Sequence, residues 1–169
     1  MQPSTARVCA CVAALALTLL ATLASGTKGK YVAELSCTAG PYRLALPRSY
    51  THVRKLASLR GEKILETDDW GDYETHRRVL TFEGLELAVI TFSHDPHRYV
   101  LATATITSPA WVLAERLKVG SSADSALRGL AVDGVPNDGV VTFSGDGDSI
   151  QVSISGSRVK SVTYECYTG

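Results

Sequence analysis

Val79-Leu80-Thr81-Phe82-Glu83-Gly84 and Val140-Val141-Thr142-Phe143-Ser144-Gly145 nearly repeat each other, 61 positions apart. Each opens a run of three candidate strands. LELAVITF (85–92) and YVLATATIT (99–107) follow the first, and DSIQVSIS (148–155) and RVKSVTYECY (158–167) follow the second. Glu83-Gly84 and Gly156-Ser157 have the composition of tight hairpin turns, and GDGD (145–148) forms another short connection. In the middle strand of the second set Ile150, Val152 and Ile154 alternate with Gln151, Ser153 and Ser155, the period of a sheet with one solvated face. Val162, Tyr164 and Cys166 share a face in the strand after it.

A capped helix is expected before each set. Ser49 can cap a helix through Lys55-Leu56-Ala57, with Val53, Leu56 and Leu59 at helical spacing and Gly61 ending it. Ser121 or Ser122 can start a second helix that runs to Arg128, with Gly120 before it, Asp124 in its first turn and Gly129 after it. Between the first helix and Val79, the polar stretch ILETDDWGDYETHRR (64–78) reads as an exposed loop, and SHDPHR (93–98) as another. YVAELSCTAGPYRLALP (31–47) reads as two short strands about Gly40-Pro41. The expected fold is α+β. Two tandem helix–βββ units, 27–107 and 108–169, form one domain as an antiparallel sheet with the helices packed on one face.

Tandem helix-plus-meander units resemble the β-lactamase-inhibitor-protein-like fold of exported bacterial proteins. LKVGSSADSAL (117–127) is similar to the glycine-then-small-residue helix start of those domains, and the likeness covers about residues 44–167. The stretch from Trp111 to Ser121, a Trp followed by Leu-x-Val-Gly-Ser, also resembles exported proteins of unassigned function. The resemblance implies a non-catalytic, protein-binding scaffold, inhibitor-like or immunity-like, with a concave sheet face. β-Lactamase inhibition and its binding residues do not carry over, because this sequence offers one disulfide and few aromatic residues on the expected sheet.

Residues 1–26 have the layout of a secretory signal. Arg7 supplies a positive start, Val8–Ala24 carries no charge and no proline, and Ala24-Ser25-Gly26 provides the small-residue exit a signal peptidase needs. The rival reading is a retained anchor, since the apolar run is near the shortest that spans a bilayer. Cleavage discards Cys9 and Cys11 and leaves Cys37 and Cys166, expected to pair in an oxidising compartment. Closing so long a loop lowers unfolded-state entropy by roughly 4–5 kcal/mol. The expected location is periplasmic or secreted, with no integral membrane segment after cleavage.

The 169 residues carry 17 basic and 17 acidic side chains, so no basic surface marks a nucleic-acid partner. At 45% hydrophobic and 20% charged, the chain can sustain a core. No phosphate loop, dinucleotide fingerprint, nucleophile elbow or thiol redox pair occurs, so no catalytic residue and no cofactor is assigned. His94-Asp95-Pro96-His97 and His76 have metal-ligand chemistry, but turns between strands hold such residues without a metal, so no metal is assigned. GDGDS lacks the distal ligands of a calcium loop. Asp68, Asp69, Asp72 and Glu74 could be paired carboxylates of a small hydrolase, the least favoured alternative.

Trp70 and Tyr73 stand among Asp68, Asp69 and Asp72, and exposed aromatics beside charges are typical of protein contacts. These five residues are the expected partner-binding set. The competing role for Trp70 is a lid over the helix–sheet core, and Trp111 reads as core. The expected function is an exported, non-catalytic binding protein that recognises another protein; the alternative is a structural or assembly component of the envelope. N-terminal mass spectrometry of the exported protein should find Thr27 or Ser25 first, with both remaining cysteines resistant to alkylation until reduced. An intact Met1 terminus, or two free thiols, would contradict this reading.

Overall fold

The computed structural model describes residues 30–31, 46–111, 117–128, 138–145 and 147–168. The leader 1–26, Cys37 and the Gly40-Pro41 turn lie outside these residues. The elements are β1 (Lys30–Tyr31), α1 (Tyr50–Val53), β2 (Gly61–Asp69), β3 (Glu74–Phe82), β4 (Leu85–Phe92), β5 (Asp95–Ile106), α2 (Ala123–Arg128), β6 (Gly139–Ser144), β7 (Asp148–Ser155) and β8 (Arg158–Cys166). The strands among the described residues join one sheet in the order β1-β6-β7-β8-β5-β4-β3-β2. Seven are antiparallel to their neighbours, while the two-residue β1 runs parallel to β6.

The protein is mainly β, which overturns the α+β expectation of two equivalent helix–βββ units. Both helices are short. Ser49 caps α1 through an Oγ that accepts from the His52 amide at 3.4 Å, but α1 is a single turn. Lys55 and Leu56 then donate to His52 and Val53, the tighter three-residue pattern that ends helices. Leu56 and Leu59 still pack against the core, so the helical spacing reported burial correctly and helix length wrongly. The second helix lies at Ala123–Arg128, as expected.

The first set of strands has a fourth member. The supposed loop 64–78 is the end of β2, a turn, and the start of β3. β2 is a sheet edge, exposed from Glu62 to Asp69, so it lacks the alternation that marks a half-buried strand. Its charges also keep an unpaired edge from joining another chain. SHDPHR shrinks to a two-residue turn at Ser93-His94, with Asp95–Arg98 leading into β5. The hairpins at Glu83-Gly84 and Gly156-Ser157 lie where the sequence puts them.

The two meanders meet third strand to third strand. β5 pairs with β8 through Thr103↔Glu165, Ala104↔Tyr164, Thr105↔Thr163 and Ile106↔Val162. Around this seam β3, β4 and β5 mirror β6, β7 and β8, so the repeated hexapeptides occupy matching strands. Leu80 and Phe82 in one, Val141 and Phe143 in the other, point into the same core. That core also takes Leu87 and Val89 from β4, Val152 from β7 and Val162 and Tyr164 from β8. Val53 of α1 and Ala123, Ala126 and Leu127 of α2 pack against this side. Each large side chain so buried contributes about 1.5–3 kcal/mol. Trp111 is half-buried, its ring 6.4 Å from that of Phe82 and its Nε1 donating to the Glu83 carbonyl at 2.7 Å.

Gly84 closes the β3–β4 hairpin at φ +70°, and a Cβ there would lie 2.1 Å from the Ser108 Cβ. Gly71 has φ +86° with nothing within 4 Å. Gly71→Ala should therefore cost only the left-handed strain, about 1 kcal/mol, and Gly84→Ala at least about twice that, because the backbone must also shift. Denaturant unfolding of both variants checks the ranking; equal losses would contradict it.

Candidate functional site

A register slip decides which side chains β2 presents away from the core. Glu62 and Ile64 pair with Leu80 and Arg78 on the core side. The pairing then shifts between Ile64 and Glu66, leaving Leu65 as the extra residue of a bulge. Beyond it Glu66 faces Arg77 and Asp68 faces Thr75 on the outer face. Ile90 and Phe92 of β4 and Val100 of β5 join them there, since Ile90 pairs with both Arg77 and Val100.

The β2–β3 turn closes this end. The Trp70 amide donates to the Tyr73 carbonyl at 3.0 Å, and Asp69 Oδ1 accepts from the Gly71 amide at 2.8 Å. The indole is held, not loose. Its Nε1 donates to Thr75 Oγ1 at 3.2 Å, and that hydroxyl donates to Asp68 Oδ2 at 3.4 Å. Trp70 and Tyr73 are nearly parallel, 17° apart with centroids 6.4 Å apart. Tyr73 meets the edge of His94 at 4.6 Å and lies 6.5 Å from Phe92. The neighbouring β4–β5 turn is tied in by Ser93, whose Oγ accepts from the Glu74 amide and whose amide donates to the Glu74 carbonyl. Trp70, Tyr73 and Thr75 line a cavity of about 340 Å³ with Ile90, Phe92 and Val100 as its apolar part and Glu66, Asp68 and Arg77 as its charges.

Of the five residues singled out in the sequence, Asp68, Trp70 and Tyr73 line the cavity. Asp69 serves the turn, and Asp72 is exposed outside the lining. Trp70 is 63% exposed and sits outside the core cluster, which removes the lid over the helix–sheet core. Glu66, Thr75, Arg77, Ile90, Phe92, Val100 and Thr168 were missed. Alternation in β3 and β4 was the available signal: residues two apart from Arg77 and Ile90 lie opposite the buried Leu80 and Leu87 rows.

The histidines do not converge. His76 Nδ1 lies 3.1 Å from Thr67 Oγ1, His97 Nδ1 lies 3.4 Å from Thr51 Oγ1, and His94 packs on Tyr73. No group of three metal-ligating side chains occurs among the described residues. Cys166 is half-buried against the core; because Cys37 lies outside the described residues, their disulfide remains a proposal.

On the opposite face of the same strands, Glu62 forms a charged cluster. Its carboxylate accepts from the Tyr50 hydroxyl at 2.6 Å and meets Arg54 at 2.8 Å and Arg78 at 3.0 Å. Arg78 also donates to the buried Thr91 hydroxyl at 3.1 Å. Burial works to raise the Glu62 pKa, but the Tyr50 hydroxyl and the two guanidinium groups overcome it and hold it below the usual range. Burial, then the bonded carboxylate, push Tyr50 up to about 12. Both shifts favour the cluster near neutrality, where it fastens α1 to β2 and β3.

Comparison with protein-family models, curated proteins and solved structures found no match.

A depressed Glu62 pKa gives stability that is present above the unfolded carboxylate range and lost as pH falls through the folded value. The raised Tyr50 value gives stability present below its ordinary 10.0 and lost as pH rises towards about 12. Glu62→Gln should therefore melt below the wild type at neutral pH, with the gap closing as pH falls from about 5 to about 2. Melting curves across that range test it, and a gap independent of pH would contradict the assignment.

Proposed function

We propose that the chain is an exported, non-catalytic binding module that recognises another protein through the Trp70–Tyr73 end of the outer sheet face. One observation carries this reading: Trp70 is 63% exposed yet fixed by a hydrogen bond to Thr75 and a stack on Tyr73. Large apolar groups already ordered in the free protein lose little side-chain entropy on binding, which is why such residues dominate contact energetics. Asp68, Asp69 and Asp72 beside them would speed encounter with a basic rim. The leader-like residues 1–26 support export to the periplasm or beyond. Among the described residues no helix is long and apolar enough to cross a membrane.

The test uses residues 27–169 as bait in periplasmic and culture extracts, with Trp70→Ala in parallel. A species retained by the wild type should bind the variant about 30-fold or more weakly, equivalent to about 2 kcal/mol, while the melting temperature changes little. Undiminished retention, or collapse of thermal stability, would contradict the reading.

A further inference from the structure

The aromatic cluster already accepts one cation from its own chain. The Arg98 guanidinium carbon lies 4.9 Å from the Phe92 ring centroid, within cation–π distance. Trp70 and Tyr73 carry no such partner among the described residues, although carboxylates stand beside them. Glu66 lies 3.9 Å from Arg77, a long and incomplete pairing. Asp68 forms no ion pair among the described residues; its carboxylate accepts from the Thr75 hydroxyl at 3.4 Å. The hairpin end thus sets Glu66 and Asp68 in the cavity, with Asp69, Asp72 and Glu74 near it, against Arg77 and Arg98, an excess of negative charge around an aromatic cavity.

We propose that this cavity is the pocket for one arginine side chain of the partner, its guanidinium over the Trp70 and Tyr73 rings and bonded to Asp68. The inference rests on the protein-recognition reading above and gives that partner a chemistry. Arginine fits for three reasons. A planar guanidinium stacks on aromatic faces and bonds carboxylates through parallel N–H groups. Its stem can cover Ile90 and Val100. The volume, about 340 Å³, is at the small end for ligand sites and suits one side chain rather than a large molecule.

The probe is the blocked tripeptide acetyl-Gly-Arg-Gly-amide, titrated into isotopically labelled 27–169 and followed at the Trp70 indole N–H and the Thr75 amide. Its control replaces arginine by norleucine. The arginine peptide should saturate these signals, weaken with added salt, and bind Asp68→Asn about tenfold more weakly, while norleucine gives no saturation. Asn keeps an oxygen for the Thr75 hydroxyl, so the variant removes charge and leaves the indole in place. Absence of saturation, equal binding of norleucine, or indifference to Asp68→Asn would overturn the pocket. So would a neutral hexose oligomer that saturates the same signals where the arginine peptide does not. If the arginine probe fails while partner capture still depends on Trp70, only the pocket falls; if capture ignores Trp70, the recognition surface itself falls.

Discussion

Four residue pairs between β5 and β8 hold the two halves of the sheet together. Ala104, Ile106, Val162 and Tyr164 point from that seam into the core and are buried essentially completely. Without the pairing, each meander would leave its apolar rows open at one edge and expose unpaired backbone there. With it, both meanders share one core, and the strand order runs outward symmetrically until β2 and β1 are added at the two ends. The seam confines apolar burial to one face. The other face is therefore free to carry chemistry.

That freedom is used at one corner. The bulge at Leu65 turns Glu66 and Asp68 outward, where the regular register would have turned them towards the core side with Glu62 and Ile64. The same strand consequently serves two faces. Glu62 on one side anchors α1 and Arg78, and Asp68 on the other supports Thr75 and, through it, the Trp70 indole. The turn bearing Trp70 is ordered locally, by the indole bond to Thr75, the stack on Tyr73 and the Ser93–Glu74 bonds that tie in the neighbouring turn. An aromatic group on a loose loop would have to be ordered on binding; this one is ordered beforehand.

The parts of the fold legible in the sequence were those with a strong local signal. Ile150, Val152 and Ile154 alternate cleanly with polar residues and form β7, and Glu83-Gly84 and Gly156-Ser157 mark their hairpins without help from tertiary contacts. β2 was illegible because an edge strand exposed from Glu62 to Asp69 has no buried row to impose a period of two. The first helix was overestimated because Val53, Leu56 and Leu59 reach the core at helical spacing from a single turn and the irregular chain after it. At the site, Asp68, Trp70 and Tyr73 were visible because they are neighbours in sequence. Arg77, Ile90 and Phe92 come from other strands and are brought there by register, which is set by pairing across the sheet and by a bulge that leaves no compositional mark.

A core shared across the β5–β8 seam requires the two meanders to behave as one folded unit. Native-state amide hydrogen exchange measures that directly. The amides of 103–106 and 162–165 that bond across the seam should open with the same free energy as those at Leu87 and Val152 in the middles of the two meanders. The contradicting result is two separate free energies, one for each meander, with the seam exchanging at the lower value.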